Sequence, residues 1–258
     1  MMTEKESTTS QQTNAQAEDR VRDLFSVGAH YAYARSRRHP SAEPYIFGLK
    51  NRVEIFDLEK TEEMIQEVEQ FAEDLGKKGG VLLFVGGKNE ARKPVADHAS
   101  RVGAPYVAGR WVGGTITNFS QIYKRIQKLE ELEQQREKGD LSKYTKKERL
   151  MFDREIEELE KNFGSFRSMT DIPDALFIVD SKREYTAFDE ARNKNIPVIT
   201  LSNSDCDLSK ADISIPGNDS VQRSIDYIVG RVADAYKRGQ ESAAKAASEK
   251  VEKEAVRS

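Results

Sequence analysis

Three guanidiniums crowd into the four residues Arg35-Ser36-Arg37-Arg38, ahead of His39 and Pro40. Tyr31 and Tyr33 precede them and Tyr45 follows. Guanidiniums grip phosphate oxygens in pairs, and guanidinium or aromatic planes stack on unpaired bases. The chemistry suited to this spacing is RNA recognition. Pro40 and Pro44 are expected to keep the segment extended and non-helical, which would expose these side chains. Lys50, Lys88, Arg110, Lys124 and Arg125 complete the candidate phosphate contacts. Trp111 joins Tyr31 and Tyr33 as a candidate stacking or docking group, and glycines near Arg110 and Trp111 would let a backbone approach an RNA strand closely. An ordinary charged loop is the competing role for the arginine cluster, and core packing for Trp111.

Catalytic chemistry is poorly represented. Gly86-Gly87-Lys88 follows an apolar run but lacks the G-x-x-x-x-G-K-[ST] spacing of a phosphate loop, so a tight strand-to-helix turn is expected. No G-x-S-x-G elbow and no G-x-G-x-x-G run occurs. His30, His39 and His98 form no H-E-x-x-H pattern, and carboxylates would have to join His30 in space to hold a metal. Cys206 stands between Asp205 and Asp207, neighbours that raise a thiol's pKa and discourage a nucleophilic role. Asp205, Asp207 and Asp212 could bind a cation, though a polar loop explains them more simply. The sequence predicts no catalytic residue, no metal and no cofactor.

The elements that must position these groups follow from patterning. The 258 residues are 37% hydrophobic and 33% charged, with a net charge of −3. An acidic average counts against a simple nucleic-acid binder, yet the charge is segregated. Residues 30–52 and 88–125 are basic, and residues 57–74 are acidic. No apolar run approaches the roughly 20 residues a membrane helix needs, and the N-terminus lacks a signal-peptide core. With a lone cysteine, a cytoplasmic location is expected. Val53–Leu58, Val81–Val85, Pro105–Val107, Ala175–Val179, Pro197–Leu201 and Ile213–Ile215 read as strands. Helical patterns lie over Thr61–Leu75, with Thr61 as cap, and over Glu90–Val102, Glu184–Asn195 and Asp219–Lys237, the last stopping near Gly239. Strands apolar on both faces, alternating with helices, predict an α/β fold with a parallel sheet covered on both sides. Phe119, Ile122, Ile126, Leu129 and Leu132 recur at helical spacing, as do Phe152, Ile156, Leu159 and Phe163. They predict an inserted antiparallel coiled-coil hairpin over 119–168. The globular domain would then comprise 21–118 and 169–239, between a polar tail at 1–20 and a polar, Ala/Glu/Lys-rich tail at 240–258 that either extends the last helix or frays.

The motifs GAHYAYARSRRHP (28–40), EPYIFGLKN (43–51), VLLFVGGK (81–88), PYVAGRWVGGTITNF (105–119), PDALFIVD (173–180), EARNKNIPVI (190–199) and IPGNDSVQRSI (215–225) stand in one order. Together they resemble the bacterial-type small-subunit ribosomal protein two family from about Leu24 to Gly239. The resemblance implies a flavodoxin-like sandwich with a coiled-coil hairpin. It implies a non-catalytic place on the small ribosomal subunit, contact with small-subunit ribosomal RNA and neighbouring ribosomal proteins, and anchoring of ribosomal protein one. Ala32 and Tyr33 replace the family's usual glycine and second histidine, and Arg38 and His39 stand where tryptophan and asparagine are common. These changes leave His30 without a histidine partner and add positive charge. Two other readings stay open: a nucleotide-binding enzyme using Gly86–Lys88, and a coiled-coil protein adaptor.

Overall fold

The computed structural model describes residues 18–255. Most of the expected N-terminal tail therefore lies outside the described residues, and residues 18–26 form helix α1. Three short strands follow in part: β1 (Tyr31–Ala34), β2 (Ile46–Lys50) and β3 (Val53–Phe56). Helix α2 (Leu58–Lys77) leads to β4 (Leu82–Val85), α3 (Asn89–Arg101) and β5 (Tyr106–Val107). Helices α4 (Phe119–Glu137) and α5 (Lys146–Phe163) come next, then β6 (Ala175–Val179), α6 (Tyr185–Asn193), β7 (Val198–Ser202), β8 (Ile213–Pro216) and α7 (Gln222–Ala255).

Strands β4 to β8 make a parallel five-stranded sheet in the order β5-β4-β6-β7-β8. Numbered within the sheet this is 2-1-3-4-5, the doubly wound order consistent with a flavodoxin-like fold. Side chains alternate across a strand, and here the alternation feeds two cores. Leu82, Phe84 and Phe177 pack towards α2, α3 and α7. Leu83, Val85, Leu176 and Ile178 pack towards α4, α5 and α6. Each buried Leu, Val or Phe contributes about 1.5–3 kcal/mol, so both layers are driven by burial.

Sequence patterning places these strands within a residue or two; of the other sheet it finds β3, read as Val53–Leu58, but neither β1 nor β2. β1, β3 and β2 pair antiparallel in that order, with an irregularity between Ile46 and Gly48. The strands are short and half exposed, so their apolar signal is weak. Pro40 and Pro44 do not hold an extended course: Pro40–Tyr45 is a 3-10 helix with Pro40 in its first turn, where a missing N–H costs nothing. Thr61 is not a cap. Asp57 caps α2 by accepting from Glu59 N–H at 3.1 Å. Thr61 is buried and its hydroxyl donates to the Pro216 carbonyl at 2.8 Å, tying α2 to β8.

Nor does Gly239 stop the last helix. α7 runs on to Ala255, through most of the segment expected to be a polar tail. Gly239 instead lets α7 cross α2 closely: a Cβ there would collide with the Glu73 carbonyl and lie 3.0 Å from Gly76 Cα. Both obstacles are helix backbone and cannot turn aside. Gly239→Ala gains roughly 1 kcal/mol of helix propensity and is expected to lose more through overpacking, for a net destabilisation of about 2 kcal/mol. Urea unfolding checks this, and a variant as stable as the parent would mean the helices have room to part.

Helices α4 and α5 carry the expected stripes. Ile122, Ile126, Leu129, Leu132, Ile156, Leu159 and Phe163 are all buried. Thr145 and Glu148 form a reciprocal capping box at the start of α5, and Lys128 pairs with Glu155 between the two helices.

Candidate nucleic-acid interface

The loops at the carboxyl ends of the parallel strands gather most of the sequence-predicted cations. The arginine segment is tethered there. Tyr33 N–H donates to Ser204 Oγ at 3.1 Å, His39 N–H to the Ser204 carbonyl at 2.7 Å, and Leu208 N–H to Ser41 Oγ at 2.9 Å. Arg35 and Arg37 are exposed on this seam. Arg38 is not available in the same way. Its guanidinium pairs with Glu43 at 3.2 Å and with the buried Glu54 at 3.1 Å, and so pins the segment to β3. Arg110, Lys50, Lys124 and Arg125 are exposed, the last three away from the strand ends on β2 and α4.

Lys88 is the clearest departure from expectation. It is only 9% exposed, and its ammonium lies 3.2 Å from Asp180 and 3.3 Å from Asp219. Burial opposes its charge, but the two carboxylates win and raise its pKa. Asp219 is 1% exposed; burial and the neighbouring Asp180 push it up to about 6, against Lys88, Asn203 and Ser220. Asp180 holds a left-handed backbone, φ 68°. This triad sits where β4 and β6 diverge, the point at which doubly wound sheets usually receive a ligand. Gly87 N–H, which a phosphate would need, already donates to Glu184 at 3.2 Å. Burial raises the Glu184 pKa against the pull of that N–H and of Arg183 and Arg92. Gly86-Gly87 is thus a tight turn: a Cβ on Gly87 would lie 2.5 Å from the Gly109 carbonyl oxygen. The groups a nucleotide would need here, the Gly87 N–H and the Lys88 ammonium, are taken by the chain's own carboxylates.

Trp111 is buried and its indole N–H donates to Glu190 at 3.1 Å, so it is a core and loop anchor and does not stack on bases. Glu190 organises the whole loop. It also accepts from the backbone N–H of Gly114 at 2.8 Å, Ile116 at 3.0 Å and Thr117 at 3.1 Å, and from the Thr117 hydroxyl at 3.1 Å. Burial alone would raise its pKa, yet these donors hold the carboxyl below its ordinary range. Sequence reading passed over Glu190 because a lone helical glutamate looks solvated; the donor-rich glycine loop 76 residues earlier was the available signal.

Tyr33 is also engaged: its hydroxyl meets Ser220 Oγ at 2.9 Å and Arg37 covers its ring at 4.6 Å. Tyr31 stays 49% exposed, packed on His30. His30 is buried between Phe25 and Tyr31, and burial, then Lys50, lowers its pKa. Cys206 is pushed up to about 11, first by burial and then by Asp180. Asp205 pairs with Lys182, Asp207 is held by Ser209, and Asp212 accepts from Val198 N–H. Among the described residues no three His, Cys, Asp or Glu side chains converge on a metal position.

Buried carboxylates thus fix the loops, and unpaired arginines crown them. A family model described as ribosomal protein S2 matches residues 24–239. The chain belongs to the ribosomal protein S2 family. It is 41% identical over 239 residues to small ribosomal subunit protein uS2 of Acidothermus cellulolyticus, covering 92% of this chain and 87% of that one. The Roseiflexus uS2 is 42% identical over 220 residues, covering 85% and 84%. That of Mycobacteroides abscessus is 40% identical over 219 residues, covering 85% and 79%. Ribosomal protein S2 chains are structural and not enzymatic. No described helix is long and apolar enough to cross a membrane.

Proposed function

We propose that this chain is a structural constituent of the small ribosomal subunit, working in the cytoplasm and binding small-subunit ribosomal RNA with the carboxyl edge of its parallel sheet. Membership of the ribosomal protein S2 family carries the assignment. The gathering of exposed arginines on a carboxylate-pinned edge supports the choice of surface. Phosphate contacts come from Arg35, Arg37 and Arg110, with Lys50, Lys124 and Arg125 flanking them. Lys88 and Arg38 contribute by fixing the loops that carry these cations. Helices α4 and α5 act as a coiled-coil hairpin inserted between the two parts of the globular domain, a reading supported by their buried stripes and the Lys128–Glu155 pair.

Protein neighbours have a surface of their own. Phe25, Tyr31, Phe47 and Leu49 are 63%, 49%, 80% and 59% exposed on α1, β1 and β2. Exposed aromatics of this kind mark protein interfaces, and ribosomal protein one is the partner the family resemblance offers.

Charge reversal tests the RNA surface. Arg35→Glu with Arg37→Glu leaves every buried pair intact and is expected to lower occupancy of small subunits in the host by tenfold or more, since two phosphate contacts become repulsions. Occupancy equal to the parent's would remove both arginines from the RNA site.

A further inference from the structure

Two adjoining clefts open on the same edge. One, about 460 Å³, is lined by Gly87, Arg92, Arg110, Arg183 and Tyr185. The other, about 840 Å³, shares Arg92, Gly109 and Arg110 and reaches Lys161. Among the described residues Arg92, Arg110 and Arg183 form no ion pair, whereas Arg38, Lys88, Arg101, Arg167 and Arg231 all do. Three guanidiniums line the smaller cleft against the one carboxylate of Glu184, which accepts from the Gly87 N–H, so a net positive charge remains to attract an anion.

Their supports are rigid. Arg92 Nε donates to the Gly87 carbonyl at 3.1 Å, which leaves both terminal nitrogens free. Arg183 is held at its backbone, donating to the Asp180 carboxylate at 3.0 Å and the Asp180 carbonyl at 3.1 Å. Arg110 directly precedes Trp111, which Glu190 clamps. The Arg92 guanidinium is thus fixed in advance, and Arg110 and Arg183 are anchored at their backbones, which lowers the freedom lost on binding.

We propose that Arg92, Arg110 and Arg183 form a seat for a backbone phosphate of RNA, with Lys161 receiving the next phosphate along the shared rim. The proposal rests on the RNA reading above and adds Arg92, Arg183 and Lys161 to it. A strand fits better than a free nucleotide for two reasons. The two clefts adjoin, sharing Arg92, Gly109 and Arg110, and their cations extend from Arg183 in one to Lys161 in the other. The Gly87 N–H and the Lys88 ammonium, the groups a nucleotide would use, are already committed to carboxylates. Tyr185, 65% exposed at the mouth, offers a ring to a base of the same strand.

The test binds the purified full-length chain to small subunits depleted of it, across a salt series. Each neutralised phosphate contributes about 0.7–0.9 to the slope of log affinity against log salt. The variant Arg92→Gln/Arg110→Gln/Arg183→Gln is expected to lose about 1 from that slope, the one phosphate of the seat, and Arg110→Gln alone is expected to lose a measurable part of it, so the single change serves if the triple one fails to fold. A steep parent slope that the variants share overturns the seat and leaves the RNA reading standing. A flat parent slope overturns both. ATP that binds the free chain saturably and is lost in the triple variant, with the subunit slope unchanged, assigns the cleft to free nucleotides and also overturns the proposal.

Discussion

Glu190→Ala is expected to be the most damaging single substitution in the chain, lowering stability by about 3–5 kcal/mol. The carboxylate accepts from the Trp111 indole, from three backbone N–H groups and from the Thr117 hydroxyl. Hydrogen bonds to a charged acceptor contribute about 1.5–3 kcal/mol each but do not add in full. Truncation also strands donors that are out of reach of water: Ile116 is 1% exposed and Trp111 7%. Losses of this size arise when a buried network is broken. The chain's single tryptophan lies inside the network, so its fluorescence reports the loop directly. The expected result is a lower urea midpoint together with a red-shifted, more quenchable Trp111 in the folded variant. A variant with unaltered midpoint and emission would show that the loop holds itself without Glu190.

Lys88→Ala is expected to cost about 3 kcal/mol near neutral pH, because it leaves the Asp180 and Asp219 carboxylates without their shared cation. The cost should depend on pH in a definite direction. Asp219 has a folded pKa of about 6, raised from 3.8. The native state therefore binds a proton that the unfolded state has already released, and stability falls as pH rises through this window. Removing Lys88 takes away the charge that holds Asp219 down, so its folded pKa climbs further and the window widens upward. The variant should lie closest to the parent near pH 4.5 and furthest from it near pH 8. Urea unfolding at those two pH values decides the matter. An equal loss at both would mean that Asp219 does not titrate with the triad, and an RNA-binding defect without any stability loss would return Lys88 to the phosphate surface.

These two residues show what the sequence could and could not convey. The parallel sheet was legible because its strands are apolar on both faces, and runs such as Val81–Val85 and Ala175–Val179 admit few other readings. Of the small antiparallel sheet only β3 was legible, as Val53–Leu58, since β1 and β2 are short and largely exposed. The amphipathic stripes of α4 and α5 were visible from spacing alone. Gly239 was misread because a glycine after a helical pattern is the usual stop signal; the backbone of α2 lying against it is a long-range fact that no local window contains.

The candidate site divides in the same way. Residue type marked Arg35, Arg37 and Arg110 as candidate phosphate contacts, and all three are exposed, but type cannot tell a free cation from a neutralised one. Arg38 finds Glu54 only because β3 passes beneath it, and Lys88 finds Asp180 and Asp219 only when β4, β6 and the loop after β8 meet. Trp111 and Tyr33 look like stacking platforms until Glu190 and Arg37 occupy them. Arg92 was counted only within the basic stretch 88–125 and Arg183 not at all, because the two lie far apart in sequence and the fold brings them to one cleft.

Sucrose-gradient sedimentation of a tagged full-length copy from its native host tests the central claim most directly. The account predicts co-migration with free small subunits and with whole ribosomes, abolished by ribonuclease. A tagged chain found only at the top of the gradient, or in a protein complex that survives ribonuclease, would contradict it.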